Sequence, residues 1–271
     1  MEISVCLKRG ACLLAAILCL FSGTATAEAL PKDMQRIIDN GTIKIALYFE
    51  DIPPFFERKD TGMAGIDIDI AQMLASKLGV EAEFVARAET FDELVHMVAR
   101  RDVDLAISVL SRTVDRARYV RFSEPYLQLH QALMINRLMA VRARLGKDVL
   151  AGMNRKEITI GVVRGSSYVG FANDAFPKAT IIQYDRWEEI VDAVFNEKLF
   201  AAFYDSVEVK KFLSENKTAN LYIQTLILKD YVDDIAIAVH SDDTHLLSWV
   251  NLFIKSLRQR GILARLQSQY F

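Results

Sequence analysis

Cysteine is scarce in this 271-residue chain, and its three copies, Cys6, Cys12 and Cys19, all fall within the first 27 residues. That segment reads as a secretory signal: Lys8 and Arg9 form a basic start, Ala11 to Phe21 an apolar core, and Ala25-Thr26-Ala27 a small-residue cleavage site. Cleavage before Glu28 would leave no thiol, which excludes disulfides and cysteine nucleophiles from the exported chain. Leu18 precedes Cys19 where a lipid-anchor cysteine wants a small residue, so a free periplasmic chain is expected. No apolar run reaches the ~20 residues a membrane-spanning helix needs. An excess of positive charge is also lacking. Without the signal the chain holds 31 basic and 34 acidic residues, a formal charge of −3, which gives nucleic acid or an anionic membrane no electrostatic footprint. There is no Gly-rich phosphate loop, no Gly-x-Ser-x-Gly elbow, and no metal-ligand spacing among His96, His130, His240 and His245. No catalytic residue, metal or cofactor is therefore assigned.

What is present is a cycle of strands and helices. Thr42 to Tyr48 alternates as a strand. A helix follows over Asp67 to Leu78, with Asp67 as its N-cap and Gly79 as its stop; then a strand over Glu81 to Ala86, a helix over Thr90 to Arg101 opened by a Thr90/Glu93 capping box, and a buried strand over Val103 to Ser108. The cycle returns as strand Ile158 to Val163, helix Ser167 to Ala175, strand Thr180 to Tyr184, helix Asp185 to Glu197 and strand Leu199 to Tyr204. A constant offset of 96 pairs Glu93 with Glu189, Val95 with Val191, Val98 with Val194 and Ala106 with Ala202. This internal repeat predicts two α/β lobes, each a mostly parallel sheet flanked by helices. Gln131 to Asn136 and Asp234 to His240 read as two crossings between them, which make a hinge. The expected division is a signal over 1–27, a first lobe over 28–133 plus 238–271, and a second lobe over 134–237.

In open α/β sheets ligands bind at the carboxyl ends of strands. Two lobes facing each other would bring the segments after Ser108 and after Tyr204 to one cleft. Arg116 there can grip a carboxylate by two parallel hydrogen bonds, and Ser111 and Thr113 can add donors, although Arg116 could equally pair with Asp115 at the surface. Asp205 ends an apolar strand, where a carboxylate is costly unless satisfied; it can cap the helix beginning at Ser206 or accept from a ligand ammonium. Gly165-Ser166-Ser167 opens a helix whose backbone N–H groups can receive an anion. Together these describe a site for a zwitterion.

Two segments carry a family resemblance. Gly65-Ile66-Asp67-Ile68-Asp69-Ile70-Ala71 resembles Gly-Phe-Asp-Val-Asp-Leu-Ala, and Thr113 to Tyr126, with Thr-x-x-Arg and Phe122-Ser123-Glu124-Pro125-Tyr126, resembles the matching stretch of family 3 extracellular solute-binding proteins. The resemblance runs over the chain after the signal. It implies a type II, Venus-flytrap periplasmic-binding-protein fold, a monomer that captures an amino acid or analogue in the interlobe cleft, and delivery to an ABC transporter permease at the inner membrane. It makes Arg116 the carboxylate clamp with Ser111 and the Val109 backbone beside it, Gly165 and Ser166 the second-lobe contribution, and Asp205 the ammonium partner. Asp67 and Asp69 fall on structural positions. The chain departs from the family at Ile52 and Ile66, where aromatics are usual, and at Glu197 to Ala201, which lacks the usual Gly and Asp. A stand-alone sensory or accessory module is the alternative. A cyclohexadienyl (arogenate) dehydratase-like enzyme is disfavoured, because Tyr168-Val169-Gly170 stands where that enzyme carries an acid.

Overall fold

A computed structural model describes residues 30–146 and 148–271; the signal segment and its three cysteines lie outside the described residues. Helix α1 (Lys32–Asn40) closes on Gly41 in the left-handed conformation and leads into β1 (Thr42–Tyr48). A small hairpin, β2 (Glu57–Lys59) and β3 (Gly62–Ala64), precedes α2 (Ile66–Leu78), which ends at left-handed Gly79. Then come β4 (Glu81–Ala88), α3 (Phe91–Ala99), β5 (Leu105–Ala106), β6 (Val120–Phe122) and the long strand β7 (Leu127–Asn136). The second body holds α4 (Arg137–Ala143), α5 (Val149–Met153), β8 (Thr159–Val163), α6 (Tyr168–Ala175), β9 (Thr180–Tyr184), α7 (Trp187–Phe195), β10 (Ala201–Asp205), α8 (Ser206–Glu215) and the long strand β11 (Ile223–Ile235). The chain returns through β12 (Ala238–His240) and ends in α9 (Thr244–Gln259) and α10 (Ile262–Tyr270).

Two five-stranded sheets result, ordered β4-β1-β5-β12-β6 and β11-β7-β10-β8-β9. In each, the strands joined by helices run parallel (β1 with β4 and β5; β8 with β9 and β10), while the returning strands are antiparallel. Helices α3 and α7 begin and end at the 96-residue offset, Phe91 against Trp187 and Ala99 against Phe195. The two bodies bury separate cores. One contains Leu127, Leu129 and Ile235; on the same strands Leu133, Ile135 and Leu228 belong to a second cluster, and Ala132 and Met134 to a third. Strands β7 and β11 therefore run from one body into the other as a hydrogen-bonded pair. Their ladder is interrupted once: Leu228 faces Gln131 but Val232 faces His130, so Lys229, Asp230 and Tyr231 lie outside the register.

Three local expectations change. Helix α2 starts at Ile66, with Gly65 as its N-cap, so Asp67 is already inside the first turn and makes no cap. A side chain on Gly65 (φ +130°) would collide with the Phe55 carbonyl, so the chain enters the helix at a residue only glycine can occupy. The capping box of α3 is half made: Thr90 Oγ1 accepts from the Glu93 N–H at 3.1 Å, while Glu93 turns its carboxylate to Arg100. Helix α7 is shorter than Asp185 to Glu197.

Candidate functional site

The two bodies meet at a cleft whose inner cavity, about 20 Å³, has room for one water-sized group. Its first-body wall includes Ile52, Phe91, Val109, Ser111 and Arg116; Ser166, Ser167, Tyr168, Tyr204 and Asp205 come from the second body, and Leu129 and Asp233 from the crossing strands. The structure thus brings Val109, Ser111, Arg116, Ser166 and Asp205 to one cavity. Thr113 is not on its wall: Thr113 Oγ1 accepts the Arg116 N–H at 3.3 Å and caps the short 3₁₀ turn Arg116–Arg118. Gly165 contributes its carbonyl rather than its N–H.

Arg116 is 5% exposed and does not pair with Asp115, which bonds Arg118 instead. Its Nε donates to Asp92 at 3.0 Å, one Nη to the Ser111 carbonyl at 3.1 Å, and the other to the Gly165 carbonyl of the opposite body at 3.3 Å. Burial lowers its pKa, and the neighbouring Asp92 carboxylate works against that; a guanidinium so placed stays charged. The Gly165 carbonyl also accepts the Asp92 N–H at 3.1 Å, so the first turn of α3 and the guanidinium grip the same oxygen from across the cleft. Ser111 Oγ donates to Asp233 Oδ2 at 2.8 Å and lies 2.8 Å from Ser167 Oγ. With its own proton committed to Asp233, Ser111 accepts from Ser167, which closes a second link between the bodies. Ser166, by contrast, donates its hydroxyl to the Val163 carbonyl at 2.6 Å.

Asp205 fulfils the capping role: Oδ1 accepts from the Val207 and Glu208 N–H groups at 2.8 and 2.9 Å. Burial raises its pKa, and these bonds oppose the rise. Val109 holds a left-handed backbone (φ +43°), strained for a β-branched residue. Its N–H donates to Asp67 Oδ2 at 2.7 Å, and Tyr126 Oη donates to Oδ1 at 2.7 Å. Asp67 is thus a fully buried carboxylate that fixes the cleft loop, and burial pushes its pKa up to about 7.

Asp92, which bonds Arg116, and the wall residues Asp233 and Ser167 escaped the sequence reading of the site. Asp92 and Asp233 looked like ordinary charges on a helix and before a strand; the signal for Asp233 was an acidic pair, Asp233-Asp234, set directly against the apolar run Ile235 to Val239. Ser167 stood in the Gly-Ser-Ser turn, but the sequence could not tell which of the two hydroxyls reaches across the cleft and which turns back on the Val163 carbonyl. Outside the inner cavity a second chamber of about 90 Å³ shares Ile52, Phe91 and Tyr204 with it. Rings of Tyr48 and Phe91 stack at 4.9 Å on one side, those of Trp187 and Tyr204 at 5.1 Å on the other. Glu50, Asp51, Asp185, Glu188 and Glu208 line it against only Arg186 and Lys211, so its field is acidic.

A cleft between two α/β bodies joined by paired crossing strands, walled by a buried arginine and buried carboxylates, defines a two-lobed ligand-binding protein. The sequence from 25 to 271 matches bacterial extracellular solute-binding proteins, family 3, and the chain belongs to that family. It is 24% identical over 81% of its length, and 86% of the relative's, to ABC transporter arginine-binding protein 1 of Escherichia coli. It is 27% identical to cyclohexadienyl dehydratase of Pseudomonas aeruginosa, covering 73% of this chain and 72% of that one. Among solved structures, an ancestral amino acid-binding protein described as a precursor of cyclohexadienyl dehydratase superposes with a TM-score of 0.71 at 24% identity, covering 88% of this chain and 99% of the other. Both the two-lobed fold and membership of an amino-acid-binding family are thereby shown.

Proposed function

We propose that this chain is a periplasmic binding protein that captures an α-amino acid with a cationic side chain, performs no chemistry on it, and hands it to an ABC permease. The observation that carries the reading is the placement of one buried guanidinium, Arg116, and a buried carboxylate, Asp205, on opposite walls of one cavity. The α-carboxylate docks on Arg116 and the α-ammonium on Asp205. The side chain extends into the acidic, ring-lined outer chamber, where cation–π and carboxylate contacts favour positive charge. Tyr48 and Trp187 there supply ring surface that Ile52 does not. Export by the 1–27 signal and a division into lobes 28–133 plus 238–271 and 134–237 belong to the same reading.

An amino acid exceeds the inner cavity, so docking requires the lobes to part and then close on it. The ligand replaces the Arg116–Gly165 and Ser111–Ser167 links with its own contacts to both sides, while the start of α3 closes again on Gly165 through the Asp92 N–H. A ligand contacting both lobes binds the closed state selectively and shifts the population toward it. The test is a thermal-shift screen of the exported chain against arginine, lysine, ornithine, glutamate and leucine, followed by recovery of the compound unchanged. A rise in midpoint with the basic amino acids alone is expected. A response confined to acidic or apolar compounds, or conversion of the ligand, overturns the proposal.

A further inference from the structure

Asp233 is 2% exposed and lines the inner cavity, yet only half of its carboxylate is used. Oδ2 takes the Ser111 hydroxyl; Oδ1 has no hydrogen-bond partner among the described residues. Two neighbours share that condition. Gln131, 4% exposed, leaves Oε1 unpartnered, and Tyr168, also 4% exposed and on the cavity wall, leaves its hydroxyl unpartnered. Buried polar groups without partners are rare in native proteins and each needs an explanation.

The sheet register gathers these atoms. On β7, Leu129 and Gln131 are two residues apart and so point to the same face, the one on which Leu129 meets the cavity. Across the ladder Gln131 faces Asp205 of β10, and Leu129 faces Asp233 of β11. The two carboxylates therefore flank β7 on its cleft side, and Gln131, directly behind the cavity wall, shares that face. An ammonium has three donors and no acceptor. Asp205, Gln131 and Asp233 offer it three acceptors, two of them charged.

We propose that Asp233 is a second anionic anchor for the ligand's α-ammonium, which it shares with Asp205 while Gln131 accepts the third N–H. The inference rests on the amino-acid reading above and adds the residue that makes the site demand an unsubstituted primary ammonium. A single carboxylate tolerates an N-methylated or hydroxyl analogue with a modest loss. A three-acceptor cradle leaves buried acceptors stranded when donors are missing, which is the costly outcome. The groups that face Asp233 are Arg116, Asp205, Asp234, Tyr168 and the Ser111 hydroxyl. Its carboxyl is pushed up to about 7 by burial, opposed by the Ser111 bond, so a docking ammonium also expels its proton.

The test is Asp233→Asn, which keeps an acceptor for Ser111 and the side-chain shape. Calorimetry is run with the basic amino acid found in the screen, its N-methyl analogue and its α-hydroxy acid, each in two buffers of different ionisation heat near pH 6.5. The substitution is expected to weaken the amino acid about ten- to a hundredfold, the hydroxy acid by less than about threefold, and to reduce the proton released on binding to the share carried by Asp205 and Glu208. Gln131→Met, which removes the third acceptor and keeps the side-chain length, serves as a second variant and should reduce discrimination against the N-methyl compound. Amino-acid affinity within threefold of wild type in Asp233→Asn, with proton release intact, overturns the role of Asp233 while leaving the function standing. No amino acid bound by the wild type overturns both.

Discussion

Gly165 sits at the point where the lobes touch, and adding one methyl group to it separates lobe closure from folding. Gly165→Ala carries two costs. The backbone there is left-handed (φ +65°), which disfavours an L side chain by about 1–2 kcal/mol whether or not the lobes meet. The new Cβ would also lie 2.8 Å from Thr90 Cβ and 3.2 Å from its Cγ2, against the 3.5–4.0 Å at which carbon atoms rest. That second cost exists only in the closed form. Overpacking of this kind costs about 1–3 kcal/mol, which at 1.4 kcal/mol per decade is a loss of about five- to a hundredfold in affinity for any ligand that needs closure. Urea unfolding without ligand reads the first cost and calorimetric titration the second. Thr90→Gly in the same chain removes the opposing side chain at a few tenths of a kcal/mol in N-cap strength, and should return most of the affinity without returning the stability. An affinity loss that Thr90→Gly leaves unchanged, or no loss at all, refutes the reasoning.

Other substitutions follow from the same geometry. Arg116→Ala should abolish amino-acid binding, because Asp92 and the Ser111 and Gly165 carbonyls cannot replace the guanidinium; calorimetry showing affinity retained within a few-fold would remove the clamp assignment. Asp205→Asn keeps an oxygen for the α8 cap but loses the charge, so it should weaken amino acids by at least tenfold more than simple carboxylic acids, while thermal midpoints without ligand stay close to wild type. Asp67 gives a pH prediction. Its pKa is raised from 3.8 to about 7 in the folded chain, so the folded state holds a proton that the unfolded state releases. The stability this provides is present below pH 4 and lost as pH rises toward 7, about 4 kcal/mol over the window. Asp67→Asn should therefore cost about 1–3 kcal/mol at pH 5, since one amide oxygen cannot serve both the Val109 N–H and the Tyr126 hydroxyl, and the deficit should narrow by pH 8. Denaturant titrations giving parallel pH profiles for the two chains would refute this.

The periodic parts of the fold were readable from sequence because burial imposes the period. Helices α3 and α7 keep the same span at an offset of 96, since each must cover an equivalent sheet, and Gly79 ends its helix as the sequence suggested, in the left-handed conformation. Strand β11 was not readable. Its charges, Lys229, Asp230, Asp233 and Asp234, break the alternation because the strand passes over a lobe boundary, where neither face is buried along the whole length. The site was legible in its strand-end residues, Arg116, Ser111 and Asp205. Asp92 and Asp233 were not, since their importance comes from elements far away in sequence: Asp92 meets Arg116 24 residues on, and Asp233 meets Ser111 122 residues back. Asp67 was misassigned because a carboxylate beside a helix start usually caps it, whereas here the N-cap lies two residues earlier, at Gly65, where the Phe55 carbonyl leaves no room for a side chain.

The break in the β7–β11 ladder gives the hinge its mechanical character. Two strands bonded side by side form a ribbon that resists bending, because curvature would stretch one row of hydrogen bonds and compress the next. Lys229, Asp230 and Tyr231 are spare length on one side of that ribbon, placed between Leu228, which packs in one lobe, and Ile235, which packs in the other. Under the proposed closure, taking up or releasing this slack would let the lobes swing while the paired segments on either side keep their bonds. The strap is therefore stiff everywhere except at one notch, and Asp233 lies two residues beyond it, so a ligand anchored there as proposed would pull close to the point that yields.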